Sequence, residues 1–170
     1  MAKEVTASEP SSSAPLFNST LETGVRAVIV LDALHPRAFD LAHLTWFDHL
    51  VVHTYDIGGP PSLHPDIPQR TGELLVRRRL VEEGIKLMRR LHMIEANVDE
   101  SGITYRASED ASAFVEALRT EYSMELKDCA DWLAGFVGRT PDSNLAGLIS
   151  TRIDRWAVEF QGEAGTPSTT

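Results

Sequence analysis

A mainly α-helical domain carrying one small β-hairpin is what this sequence predicts, and three observations predict it. Apolar residues recur at three- and four-residue spacing through most of the chain, the period of helices with one buried face. One pair of β-favouring runs flanks the turn-forming Asp99-Glu100-Ser101-Gly102, the signature of a hairpin. With 170 residues, 42% of them apolar, the chain is long enough to bury one core, and it shows no internal repeat of solenoid length.

Each element follows from local signals. Residues 1–16 are rich in Ser, Ala, Pro and Glu, too polar to offset the entropy of ordering, and are expected to form a disordered tail. Ser19-Thr20-Leu21-Glu22 fits a capping box, so a helix is expected from about 20 to 34, ended by His35-Pro36. Its Leu21, Val25, Val28 and Leu31 share one face. Asp40 then caps "LAHLTWFDHLVVH", with Leu44, Phe47, Leu50 and Val51 as the buried stripe. From Gly72 a long helix places Leu74, Val81, Ile85, Met88 and Leu91 together, with Gly84 as a point where it could kink or divide. The hairpin comes next, Ser108 is expected to cap a further helix, and residues 121–137 continue helical. "GRTPDSN" reads as a linker to a last amphipathic helix carrying Leu145, Leu148, Ile149, Ile153, Trp156 and Phe160.

Helix, helix, long helix and hairpin is the order of a winged helix-turn-helix, with the hairpin as wing. The expected organisation is therefore a winged-helix domain with helical extension over 17–138, a C-terminal amphipathic helix over 139–161, and a second disordered tail over 162–170.

Charge and composition narrow the function. A net charge of −9 argues against general coating of nucleic acid, which clustered cations drive. The lone Cys129 excludes a disulfide framework within the chain and fits a cytoplasmic location, and no apolar run suits a secretion signal or a membrane span.

Two segments stand out. "HTYDIGGPPSLHPD" concentrates His53, Asp56, Gly58, Gly59, Pro60, Pro61, His64 and Asp66 in one turn-forming stretch. His49 and His53, four residues apart, could share a metal ion with Asp56, His64 and Asp66, but "HLVVH" lacks the glutamate of the two-histidine hydrolase motif. The alternative is that the histidines and aspartates tie the loop to the core. No phosphate-binding glycine loop is present, and the prolines fix φ and remove donors, which favours a stiff recognition surface. The second segment is residues 77–90, holding Arg77, Arg78, Arg79, Lys86, Arg89 and Arg90 against Glu82 and Glu83. It carries +4, so the remainder sums to −13, and a protein partner or a solvated face fits better than a duplex. Cys129 between acidic neighbours makes a poor nucleophile, and no catalytic triad or cofactor motif is found, so no catalytic residue, metal or cofactor is assigned.

"LDALHPRAFDL", "DIGGPPSLHPD" and "GELLVRRRLVEEGIKLM" resemble the middle components of bacterial ABC-three-component systems, and the likeness runs to about residue 137. The resemblance implies a small non-catalytic winged-helix protein working with an ABC ATPase of the SMC or Rad50 kind and a third, effector component, against phage or plasmids. On that view the Gly-Pro loop with Asp56 and His64, the basic helix (Arg77, Arg78, Lys86, Arg89, Arg90) and Trp156 and Phe160 would bind partners. DNA would be met only through the complex, and a homodimer stays open. The alternatives are a winged-helix transcription regulator and a small His/Asp metalloenzyme.

Overall fold

The computed structural model describes residues 19–65, 70–148 and 151, and side chains throughout that span except 70–75. The described residues are mainly helical, with one two-stranded antiparallel sheet. Its elements are α1 (Thr20–Ala33), α2 (Leu41–Leu50), a 3-10 turn (Thr54–Ile57), α3 (Arg70–Arg90), β1 (Ile94–Asp99), β2 (Gly102–Ala107), α4 (Ala111–Ala117) and α5 (Glu121–Arg139). Residues 142–148 are again helical.

Helix α1 begins where its capping box requires: the Ser19 hydroxyl accepts from the Glu22 amide while the Glu22 carboxylate accepts from the Ser19 amide. It is not a one-faced surface helix. Every residue from Arg26 to Leu31 is buried, because α2, α3, α4 and α5 all pack around it. Leu21, expected in the stripe, is exposed at the helix start.

Gly84 does not kink α3, which runs unbroken. Its role is proximity: a Cβ there would stand 2.7 Å from the backbone nitrogen of Gly24, and one on Gly24 would stand 3.0 Å from the Gly84 carbonyl oxygen. The two glycines let α1 and α3 cross with backbones nearly touching. Val81, Ile85 and Met88 are buried as their spacing predicts, while Leu91, just past the helix, is exposed and Leu74 lies outside the described side chains.

The hairpin register sets Asp99 opposite Gly102, leaving Glu100 and Ser101 as a two-residue turn. Asp99 Oδ1 accepts from the Ser101 amide at 2.8 Å, and Gly102 sits at φ +127°, where a side chain would be strained. The pair is tied back to the helices by Phe39, in the α1–α2 connection, which exchanges backbone hydrogen bonds with Tyr105 of β2.

Two expected boundaries moved. Ser108 is not the cap of α4; its amide donates to Met93 O, and α4 starts after Asp110. The expected "GRTPDSN" linker is mostly structured: Gly138 and Arg139 belong to α5, and only Thr140 and Pro141 precede helical residue 142. Leu145 is buried, and Asp142 pairs with Arg37 at 2.5 Å. The start of the last helix thus packs on the α1–α2 connection. Ile149, Ile153, Trp156 and Phe160 lie outside the described residues.

Candidate docking surface

The stretch after α2 is held in one shape by its own backbone and by α5. Thr54 anchors it, its carbonyl accepting from the Gly59 amide at 2.9 Å and its hydroxyl donating to Pro60 O at 2.9 Å. Gly58 closes the 3-10 turn in the left-handed region at φ 82°. Gly59 approaches so closely that a Cβ would meet Thr54 O and the Trp132 ring, both at 2.8 Å. The amides of Leu63 and His64 then donate to Val52 O, drawing the segment back onto the end of α2. A stiff bracket results, with Tyr55 72% exposed on its outer side and Gly58 and Pro61 exposed beside it. Tyr55 went unnoticed in the sequence because nothing in its spacing marks it, although a lone aromatic between turn residues was the available signal.

The histidines and Asp56 serve as tethers. His49 is buried, with its ring stacked on His53 at 4.5 Å, and its Nε2 lies 3.6 Å from Asp56. His64 Nε2 is 2.9 Å from the Tyr122 hydroxyl on α5. Among the described residues, no three His, Cys, Asp or Glu side chains converge as a metal site requires. Burial, then the charges of Arg26, His53 and Arg77, push the His64 imidazole down to about 4, so it is neutral at pH 7. An unfolded histidine takes up its proton near 6.5, so acid favours the unfolded chain. The stability contributed by neutral His64 is complete above about pH 6.5 and is lost as pH falls toward 4. The unfolding temperature is expected to drop between pH 7 and pH 5, and to drop less in His64→Gln, as thermal scans at the two pH values would report.

The basic helix divides into two faces. Arg78, Arg79, Lys86, Arg89 and Arg90 are exposed. Arg77 is not, which removes it from any surface role: 5% exposed, it donates through Nη1 to Asp48 Oδ2 at 2.6 Å. Arg26 of α1 reaches the same carboxylate, Nε to Oδ1 at 2.8 Å. Two buried arginines on one buried aspartate join α1, α2 and α3, a network that sequence reading missed because its members are 22 and 29 residues apart. Lys86 is engaged by Glu82 and Glu83 at 3.1 and 3.2 Å, whereas Arg89 and Arg90, both exposed, line a trough against β1. Cys129 is buried, and burial followed by Asp128 and Glu125 pushes its thiol pKa up, away from nucleophilic use.

The family model for the ABC-three component (ABC-3C) system Middle Component 2 matches residues 16–159. The chain belongs to that family. No curated protein and no solved structure matches it significantly. The match takes in the bracket, the basic face of α3 and the hairpin of this middle component, and reaches past residue 137 into the last helix. No described helix of the middle component is long and apolar enough to cross a membrane.

Proposed function

We propose that this middle component is a non-catalytic winged-helix subunit that docks on an SMC- or Rad50-like ABC ATPase and couples it to an effector, in a cytoplasmic bacterial system directed at phage or plasmids. The observation that carries the docking reading is the bracket: a segment already locked by Thr54, Gly59 and Val52 that exposes Tyr55 and Pro61 loses little conformational entropy on association. The winged-helix reading is supported by the element order together with the Phe39–Tyr105 bridge that ties the hairpin to the α1–α2 connection. Protein is favoured over DNA as the direct partner because the hairpin tip presents Asp99 and Glu100, which would repel phosphates.

The test is co-purification with a candidate SMC- or Rad50-like ABC ATPase. Pro60→Ala with Pro61→Ala is expected to leave the unfolding midpoint nearly unchanged while weakening association about tenfold, and Tyr55→Ala to weaken it at least as much. Arg78→Glu with Arg89→Glu should also impair assembly more than folding, since both positions are exposed. Unchanged affinity in all three variants would overturn the docking reading, as would tight, steeply salt-dependent binding of random duplex by the isolated chain.

A further inference from the structure

The hairpin stays amphipathic beyond the body that roots it. Ile94, Ala96 and Val98 of β1 share a face with their partners Ala107, Tyr105 and Ile103 of β2. At the root Ile94 and Ala107 are buried, but at the tip Val98 is 73% exposed and Ile103 48%. These two sit directly opposite each other, so the tip offers a contiguous apolar ridge where scattered single residues would be ordinary.

One edge of the hairpin is also open. The Tyr105 amide and carbonyl are taken up by Phe39 on the outer side of β2. Because bonded and non-bonded pairs alternate in an antiparallel ladder, Ile94, Ala96 and Val98 direct their backbone groups outward from β1. Among the described residues no strand pairs with that edge. A trough of about 800 Å³, lined by Glu83, Lys86, Arg89 and Arg90 of α3 and by Ile94, Glu95 and Ala96, lies against β1.

Charge selects what fits. Glu83 of the trough is paired with Lys86 and Glu95 with Arg106, so Arg89 and Arg90 set its sign, and the complementary chemistry, an apolar strand end bearing carboxylates, is what this chain carries at its own tip in Val98, Asp99, Glu100 and Ile103. We infer that a second copy of the chain docks here, β1 against β1, joining two hairpins into a four-stranded antiparallel sheet with each acidic tip near the other copy's Arg89 and Arg90. A two-fold axis at Ala96 sets Ile94 against Val98 of the second copy and Glu95 against Asn97, and brings Asp99 opposite Met93, next to the arginines. Moving the axis one residue either way sets Glu95 against Glu95 or against Asp99, which like charge disfavours. Two hairpins bury little surface, so the dimer is weak and salt-sensitive. This assignment stands apart from ATPase docking through the bracket.

Sedimentation equilibrium of the full chain tests it. A concentration-dependent dimer that weakens with added salt is expected, with Val98→Lys shifting the chain to monomer. Glu100→Arg and Arg90→Glu should each weaken association about tenfold, and the two together should restore it, because each tip again meets an opposite charge and the Asp99 carboxylate that holds the turn is left in place. Both positions are exposed, so the exchange keeps the test decisive if Val98→Lys disturbs the hairpin. A chain that remains monomeric up to roughly 1 mM would overturn the inference, as would a dimer indifferent to the charge exchange. Loss of the ATPase on Val98→Lys, with no dimer in the unmodified chain, would assign the ridge to that partner and likewise overturn it.

Discussion

Asp48→Ala is expected to lower the unfolding free energy by about 3–5 kcal/mol, the largest effect of any single change at an ionisable residue in this protein. The carboxylate is buried and receives Arg26 and Arg77 at 2.8 and 2.6 Å, so removing it leaves two guanidinium groups in the core without the charge they share. The cause is the stranding of the cations and not the loss of attraction as such. Replacing all three together, Arg26→Met, Asp48→Leu and Arg77→Met, should therefore recover most of the loss. Urea titrations would show the single variant with a reduced midpoint at unchanged slope and the triple variant close to the parent. A mild effect of Asp48→Ala would mean that the arginines reach water or other acceptors more easily than their burial implies.

Gly84→Ala should destabilise by about 1–3 kcal/mol or more, against the usual gain of up to about 1 kcal/mol when a helical glycine becomes alanine. The added methyl would meet backbone atoms of Gly24 at 2.7 and 3.0 Å, which no rotamer change can relieve, so α1 and α3 must separate. Gly138→Ala is the control: it lies in α5 with no atom of the described residues within 4 Å of the position its Cβ would take, and it should stabilise slightly. Opposite signs at two helical glycines, read from thermal or chemical unfolding, would demonstrate the close crossing.

These two sites mark where the sequence stopped being readable. The capping box at Ser19, the Asp40 cap and the Asp99–Gly102 turn were legible because each is written within four consecutive residues, and each was found in place. Gly84 carries the same local signal whether a helix bends there or another helix crosses it, and only the presence of Gly24 distinguishes them. Arg77 fell among exposed arginines in the sequence, yet it is turned inward by Asp48, a choice set by a partner 29 residues away. The candidate surface divides in the same way. The stiffness of "DIGGPPSLHPD" could be anticipated from its prolines and glycines, whereas the outward placement of Tyr55 and the tethering roles of Asp56 and His64 depend on where α2 and α5 lie.

Phe39 is the meeting point of three parts of the molecule. Its backbone is bonded to Tyr105 at 2.9 and 2.8 Å, its ring meets Phe47 edge-on with centroids 5.0 Å apart, and Arg37, stacked over it at 5.0 Å, reaches Asp142. These contacts anchor the base of the hairpin to the α1–α2 connection. A load applied at its tip would meet α2 and the first turn of the last helix through Phe39 and Arg37. On the proposed coupling to an ATPase, this chain of contacts is the route by which strain at the hairpin would reach the rest of the protein.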